Sequence, residues 1–159
     1  MEITLLDQPA LLPVMQSDFP DYRFIPLDLE QPNPPLRDEK FDIIICADVI
    51  EHLMNPDRLL NIIKKLSTPE TLTILSTPER DNVRGRHCTR PGNQYHVREW
   101  NRTEFRHYLD SRGFVVLESV LAPGKKLSRS EKLLRNIFVW LRPRMDYGCH
   151  IVVCRLQPR

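Results

Sequence analysis

Apolar positions in this chain fall into two kinds of pattern, short continuous runs and stripes at helical spacing. Ile3-Thr4-Leu5-Leu6 is a short run that ends at Asp7. Pro9 suits a first helical turn. Ala10 to Met15 continues that helix, and Pro13 keeps it short. Tyr22 to Leu27 reads as a second strand ending at Asp28, and Gln31 to Lys40, with three prolines, as a loop. Phe41 to Ala47 is continuous, apolar and rich in isoleucine, which predicts a strand buried on both faces of a parallel sheet. Asn55-Pro56 then reads as an N-cap followed by proline at the first helical position. Leu59, Leu60, Ile62, Ile63 and Leu66 form one apolar stripe behind it. Thr71 to Ser76 is another buried strand, and residues 79–98 are a polar, basic loop. Asn101 caps the next helix, with Glu104 completing a capping box and Trp100 and Phe105 placed as a hydrophobic staple. Gly113 ends that helix. Phe114 to Leu121 and Tyr147 to Leu156 read as strands, separated by a basic amphipathic helix over Ser128 to Leu141.

Strands and helices alternate along the chain. The expected fold is therefore α/β, a three-layer sandwich around a mainly parallel sheet, with residues 1–159 as a single domain.

Composition refines this picture at two points. The 159 residues are 41% hydrophobic and 28% charged, with net charge +2, as in an ordinary soluble globular protein. No apolar run approaches the ~20 residues of a membrane span, and no signal-peptide pattern opens the chain. Four cysteines without a Cys-x-x-Cys pair suit a reducing compartment, which places the protein in the cytoplasm. The first departure is glycine. There are five, against fourteen prolines, and the first is Gly85. The first half of the chain therefore holds no glycine-rich phosphate or dinucleotide loop. The second departure is charge. Residues 1–79 carry a balance of −8 and residues 80–159 one of +10. Either the basic half meets an anionic partner or the two halves neutralise each other.

Ligands of open parallel sheets bind at the C-terminal ends of the strands. The polar residues there are Asp7, Asp28, Asp48, Glu51, His52 and Ser76-Thr77-Pro78. A carboxylate ending a strand can accept both hydroxyls of a ribose, or it can cap the helix that follows.

The run ITLLD…YRFIPLDLE…FDIIICADVIEHLMNPDRLL…LTILSTPERD…HVREWNRTEF…GF resembles the class I S-adenosylmethionine-dependent methyltransferases. The likeness is to small bacterial enzymes of the kind that includes the quinone-biosynthesis O-methyltransferases. FDIIICADVIEHL with NPDRLL is the most specific part, and the likeness covers about residues 3–120. It implies a Rossmann-like fold with sheet order 3-2-1-4-5-7-6 and an antiparallel strand 7. It also implies S-adenosylmethionine as cofactor. Asp7 then matches the ribose-binding acid, Asp28 and Leu29 the adenine contacts, and Cys46, Ala47 and Asp48 the strand end beneath the methionine part. Ile3 to Leu6 corresponds to strand 2 and Phe41 to Ala47 to strand 4. Strand 1, its glycine-rich loop and the first helix have no counterpart in this sequence, so the first strand-helix unit is missing. The favoured explanation is an N-terminally truncated gene model. A second chain supplying the strand, or a degenerate non-catalytic relative, are the others.

Asp48, Glu51 and His52 stand at i, i+3 and i+4, and share one face if a helical turn begins there. His96 could complete a set of two carboxylates and two imidazoles suited to a divalent metal. The pattern resembles the Glu-x-x-Glu-His plus distant His of small-RNA 3′-end 2′-O-methyltransferases, with RNA as the partner in that case. The metal is the alternative reading. In the preferred one His52, or else His96, is the catalytic base of an O-methylation, since imidazole has a pKa of ~6.5. Arg80, Arg84, Arg86 and Arg98 lie in the basic loop and would bind an anionic small-molecule acceptor bidentately. The helix over Ser128 to Leu141 serves as a lid or lies on an anionic membrane surface.

Overall fold

A computed structural model describes residues 2–31, 38–88, 90–122 and 148–158. The chain forms two compact units, Met1–Asp38 and Glu39–Arg159.

In the first unit β1 (Thr4–Asp7) runs parallel to β2 (Arg23–Pro26), with Thr4 opposite Arg23 and Asp7 opposite Pro26. A parallel pair needs a crossover. Here it is a 3-10 turn over Pro9–Leu11 followed by α1 (Leu12–Asp18). Pro13 does not shorten the helix as expected. It sits in the first turn of α1, where a missing N–H costs no intrahelical bond, so the helix continues to Asp18.

The second unit holds a four-stranded sheet in the order β3-β4-β6-β5. β3 (Ile43–Ala47) and β4 (Leu72–Pro78) are parallel. β6 (Cys149–Leu156) runs antiparallel to both β4 and β5 (Phe114–Ala122). In the numbering of the resemblance this is 4-5-7-6, with strands 2 and 3 forming the separate pair in the first unit. The expected mainly parallel sheet with an antiparallel last strand is present. The cross-strand partners Thr73–Cys154, Leu75–Val152 and Thr77–His150 are all buried, so one face of the sheet is core.

The opposite face corrects one expectation. Phe41 to Ala47 is not buried on both sides. Ile45 is 70% exposed and Ile43 and its partner Leu72 are exposed too. Among the described residues β3 hydrogen-bonds only to β4, so it is an edge strand. A continuous apolar run reports the tendency to be buried, not whether a covering layer is present.

α2 (Pro56–Leu66) buries Leu59, Leu60, Ile62, Ile63 and Leu66, the stripe read from the sequence. Asn55 holds the N-cap position, but its side chain makes no capping bond. α4 (Arg102–Ser111) has the full capping box. Asn101 accepts from the Glu104 N–H, and Glu104 accepts from the Asn101 N–H. Trp100 and Phe105 close the staple with ring centroids 5.5 Å apart. Gly113, at φ 78°, turns the chain out of the helix. Arg112 and the Tyr108 hydroxyl both donate to Asp57, tying α4 to the start of α2. The Arg112 and Tyr108 hydrogen bonds hold the Asp57 carboxyl below its usual range.

The expected loop 79–98 contains a short helix, α3 (Arg80–Val83). Its N-cap is Glu79, whose carboxylate accepts from the Asn82 N–H, and glutamate is not a residue type that signals a cap. Among the described residues no helix is long and apolar enough to cross a membrane. The basic segment Ser128 to Leu141 lies outside the described residues.

Candidate functional site

β3 ends at Ala47, and the chain then turns sharply. Asp48 has φ 51°, a left-handed conformation uncommon for a residue other than glycine. Its N–H donates to the Ser76 carbonyl, and Ser76 Oγ donates to Asp48 Oδ1 at 2.9 Å. The turn is pinned to the end of β4 by this exchange. A 3-10 turn over Ile50–His52 follows, anchored by the buried Ile50. Asp48 therefore does not share a helical face with Glu51 and His52, contrary to the i, i+3, i+4 expectation. Its carboxylate is turned toward β4.

The loop before α4 returns to this turn. The N–H groups of Val97 and Arg98 both donate to the Glu51 carbonyl, at 2.8 and 3.2 Å. This clasp brings His96 beside His52. Their rings meet edge to face with centroids 4.7 Å apart. Ligating atoms of Glu51, His52 and His96 all lie within 4.8 Å of one another.

Each imidazole has a fixed tautomer. His52 Nδ1 lies 2.9 Å from the Tyr95 carbonyl, which can only accept, so Nδ1 carries a proton and the neutral ring has its lone pair on Nε2. His96 Nδ1 donates to Glu99 Oε1 at 2.7 Å. Its Nε2 accepts from the Asn93 amide at 2.9 Å, and that amide is oriented by the Tyr95 N–H bonded to Asn93 Oδ1. Arg84 Nε stands 3.5 Å from the other oxygen of Glu99.

Glu51 is the unusual member. Its side chain is buried, Oε2 accepts from Thr77 Oγ1 at 3.2 Å, and Oε1 is buried with no hydrogen-bond partner among the described residues. Burial, reinforced by the nearby Asp48 charge, pushes its carboxyl above the usual range. Cys46 lies just before this turn, its thiol pushed up to about 12, chiefly by burial, and it stays a neutral thiol.

The remaining candidates are dispersed. Asp7 is the last residue of β1, and Asp28 and Leu29 follow β2, all in the first unit. Asp7 Oδ1 accepts from the Gln8 N–H and Asp28 Oδ1 from the Glu30 N–H. Arg80 is engaged within the fold. It forms a bidentate pair with Glu104 at 2.7 and 2.9 Å and a further contact with Asp81. Arg84 faces Glu99. Arg98 lies over the Trp100 ring, 5.7 Å from its centroid, beside a groove of about 660 Å³ that His107 and Tyr108 also line. Arg86 is exposed. Glu99, Asn93 and the Tyr95 carbonyl were not singled out from the sequence. The i, i+3 spacing of His96 and Glu99 was the signal for the first, and the other two act through loop geometry alone.

A methyltransferase-domain family model matches residues 11–119. The chain belongs to that family, the class I S-adenosylmethionine-dependent methyltransferases with a Rossmann-like fold. It is 30% identical over 86 residues to a probable S-adenosylmethionine-dependent methyltransferase of Mycolicibacterium smegmatis. That match covers 54% of this chain and 33% of the relative, so it spans about a third of that protein. Among solved structures, an S-adenosylmethionine-dependent methyltransferase of Clostridium acetobutylicum shares the fold with TM-score 0.66 at 10% identity, over 99% of this chain and 76% of that one. A putative methyltransferase of Bacillus halodurans does so with TM-score 0.64 at 16% identity, over 100% and 84%.

Proposed function

We propose that the protein transfers a methyl group from S-adenosylmethionine to a hydroxyl of a small, anionic acceptor in the cytoplasm. When bound, the cofactor supplies an electrophilic methyl on a sulfonium. The observation that carries the oxygen acceptor is His52. Its side chain is exposed, its Nδ1–H is held by the Tyr95 carbonyl, and the lone pair of the neutral ring is on Nε2, toward which a hydroxyl can donate. Sulfur and carbanion acceptors have less need of such a partner. The family match runs across both compact units, which supports reading residues 1–159 as one domain.

On the cofactor side, Asp7 is the candidate for the ribose hydroxyls. It closes a parallel strand, and Oδ1 alone is engaged by Gln8 among the described residues, leaving Oδ2 as an acceptor. Asp28 and Leu29 stand at the next strand end and are assigned to the adenine. Cys46, Ala47 and Asp48 are assigned to the methionine part. Arg98 and Arg86 are the arginines best placed to meet an anionic group, since Arg80 and Arg84 already face Glu104 and Glu99. The four unpaired cysteines suit a reducing compartment.

The test is a methylation assay with labelled S-adenosylmethionine and matched hydroxyl, thiol and amine acceptors, each in anionic and neutral form. Methyl ethers formed faster from the anionic hydroxyl compounds are expected. Methylation confined to sulfur or nitrogen, or no cofactor binding by calorimetry, overturns the reading.

A further inference from the structure

We infer that the groove between α4 and the 97–100 segment binds the charged end of the acceptor, and that it takes a carboxylate or phosphate monoester carried on an apolar body. This site belongs to the reading above, which it needs only for its role in methyl transfer. Three observations converge on it. The first is size. The groove encloses about 660 Å³, within the ~300–1,000 Å³ of small-molecule sites. A bare carboxylate or phosphate ion would leave most of it empty. Pro91, Tyr108 and Val97, which is 42% exposed, offer apolar surface to the rest of a larger molecule.

The second is charge. Arg80 and Glu104, also on the wall, cancel in their bidentate pair. Glu99 is buried against His96 and Arg84. Arg98 and His107 are exposed, and among the described residues neither faces a carboxylate. The unmatched charge of the groove is therefore positive. Arg98 is also held in place for an oxyanion. Its guanidinium lies over the Trp100 ring, 5.7 Å from the centroid, and its N–H donors have no acceptor among the described residues. A guanidinium fork offers a carboxylate or a phosphate two parallel hydrogen bonds.

The third is the connection to His52. The N–H groups of Val97 and Arg98 close on the Glu51 carbonyl, and Glu51 precedes His52 in the turn after β3. The wall that carries Arg98 and the turn that carries His52 are thus one hydrogen-bonded piece. His52 and His96 do not line the groove, so the charged end of the acceptor and its reacting hydroxyl occupy separate places. Arg98 is then the residue that selects a charged acceptor. Arg80 and Arg84 are held by their own carboxylates, and Arg86 lies outside the groove lining.

The experiment is calorimetry of the full chain with phenyl phosphate and with benzoate, in the absence of S-adenosylmethionine and of any hydroxyl acceptor. One saturable equivalent of an aryl anion is expected, and the tighter of the two names the oxyanion. Benzyl alcohol lacks the charge and inorganic phosphate lacks the apolar body, so each should bind about tenfold more weakly or worse. Arg98→Gln should weaken the aryl anion about tenfold or more, and Arg98→Lys, which keeps the charge without the fork, should lose less. Arg106→Gln, which removes an exposed cation of α4 outside the groove, should bind as the parent does. If Arg98→Gln fails to fold by circular dichroism, amide shifts in NMR of the parent decide, and phenyl phosphate should move those of Val97, Arg98 and His107. Absence of saturable binding, shifts that leave these three residues unmoved, equal binding of benzyl alcohol or inorganic phosphate, or unchanged binding in a folded Arg98→Gln overturns the inference. Aryl-anion binding without methyl-ether formation from any hydroxyl compound would sink the proposed reaction and leave the groove standing. Methyl-ether formation from anionic acceptors as fast in Arg98→Gln as in the parent would do the reverse.

Discussion

Glu99 holds His96. The Nδ1–H···Oε1 contact is 2.7 Å long, and the side chains of His96 and Glu99 are only 9% and 1% exposed. A carboxylate in this position fixes the tautomer and stops the ring from turning. Glu99→Gln should change the imidazole nitrogen shifts of His96 in NMR while the circular dichroism stays that of the parent. Unchanged shifts would show that His96 needs no such orientation.

The two asparagine caps should behave differently on truncation. Asn101 accepts from the Glu104 N–H, whereas the Asn55 side chain makes no capping bond. Asn101→Ala should cost about 1 kcal/mol in urea unfolding. Asn55→Ala should stay within about 0.5 kcal/mol of the parent. Equal losses at the two sites would contradict the cap assignment.

Ile45 and Leu75 look equivalent in the sequence, each inside an apolar strand. In the structure Ile45 is 70% exposed and Leu75 is 0% exposed. Leu75→Ala should therefore cost about 2–5 kcal/mol. Ile45→Thr should change stability by no more than about 0.5 kcal/mol. A large loss for Ile45→Thr would mean that this face of β3 is covered in solution.

His150 is buried on β6 beside Ser119 and Phe105, with its Nε2 2.8 Å from Ser119 Oγ. Burial, with Arg102 nearby, lowers its pKa to about 4 from the ordinary 6.5. The unfolded chain therefore takes up this proton first as pH falls. His150 contributes its full stabilisation above about pH 6.5, and loses it as pH falls toward 4. Over that window the loss is about 3 kcal/mol, at 1.36 kcal/mol per unit. Denaturant melts of the parent and of His150→Gln should show this pH dependence in the parent and its absence in the variant. Parallel pH profiles would refute it.

Much of the architecture was legible because it rests on local rules. The stripe of α2, the capping box and staple of α4 and the Gly113 stop all follow from spacing and residue type, whereas the antiparallel last strand was implied by the family resemblance. The short helix α3 was not legible because Glu79 is a poor cap signal. Pro13 was misread because its effect depends on which helical turn it occupies. For the site, Glu51, His52 and His96 were visible as candidates, but the expected fourth member, Asp48, was not part of the cluster. Its positive φ turns it toward Ser76, and no side-chain spacing encodes that.

By itself the sequence determined the α/β class, the family resemblance, the residue types able to do chemistry, and the absence of any glycine before Gly85. Each of these is a property of composition or of neighbours a few positions apart. Tertiary structure alone decided which candidates meet. The two N–H groups of the 97–98 segment close on the Glu51 carbonyl and so set His96 against His52. The same long-range packing buries Glu51 Oε1 without a partner among the described residues and leaves Ile45 exposed. Periodicity can say that a side chain is apolar or can bind a ligand. Which atoms lie within reach of it depends on contacts between segments far apart in the chain.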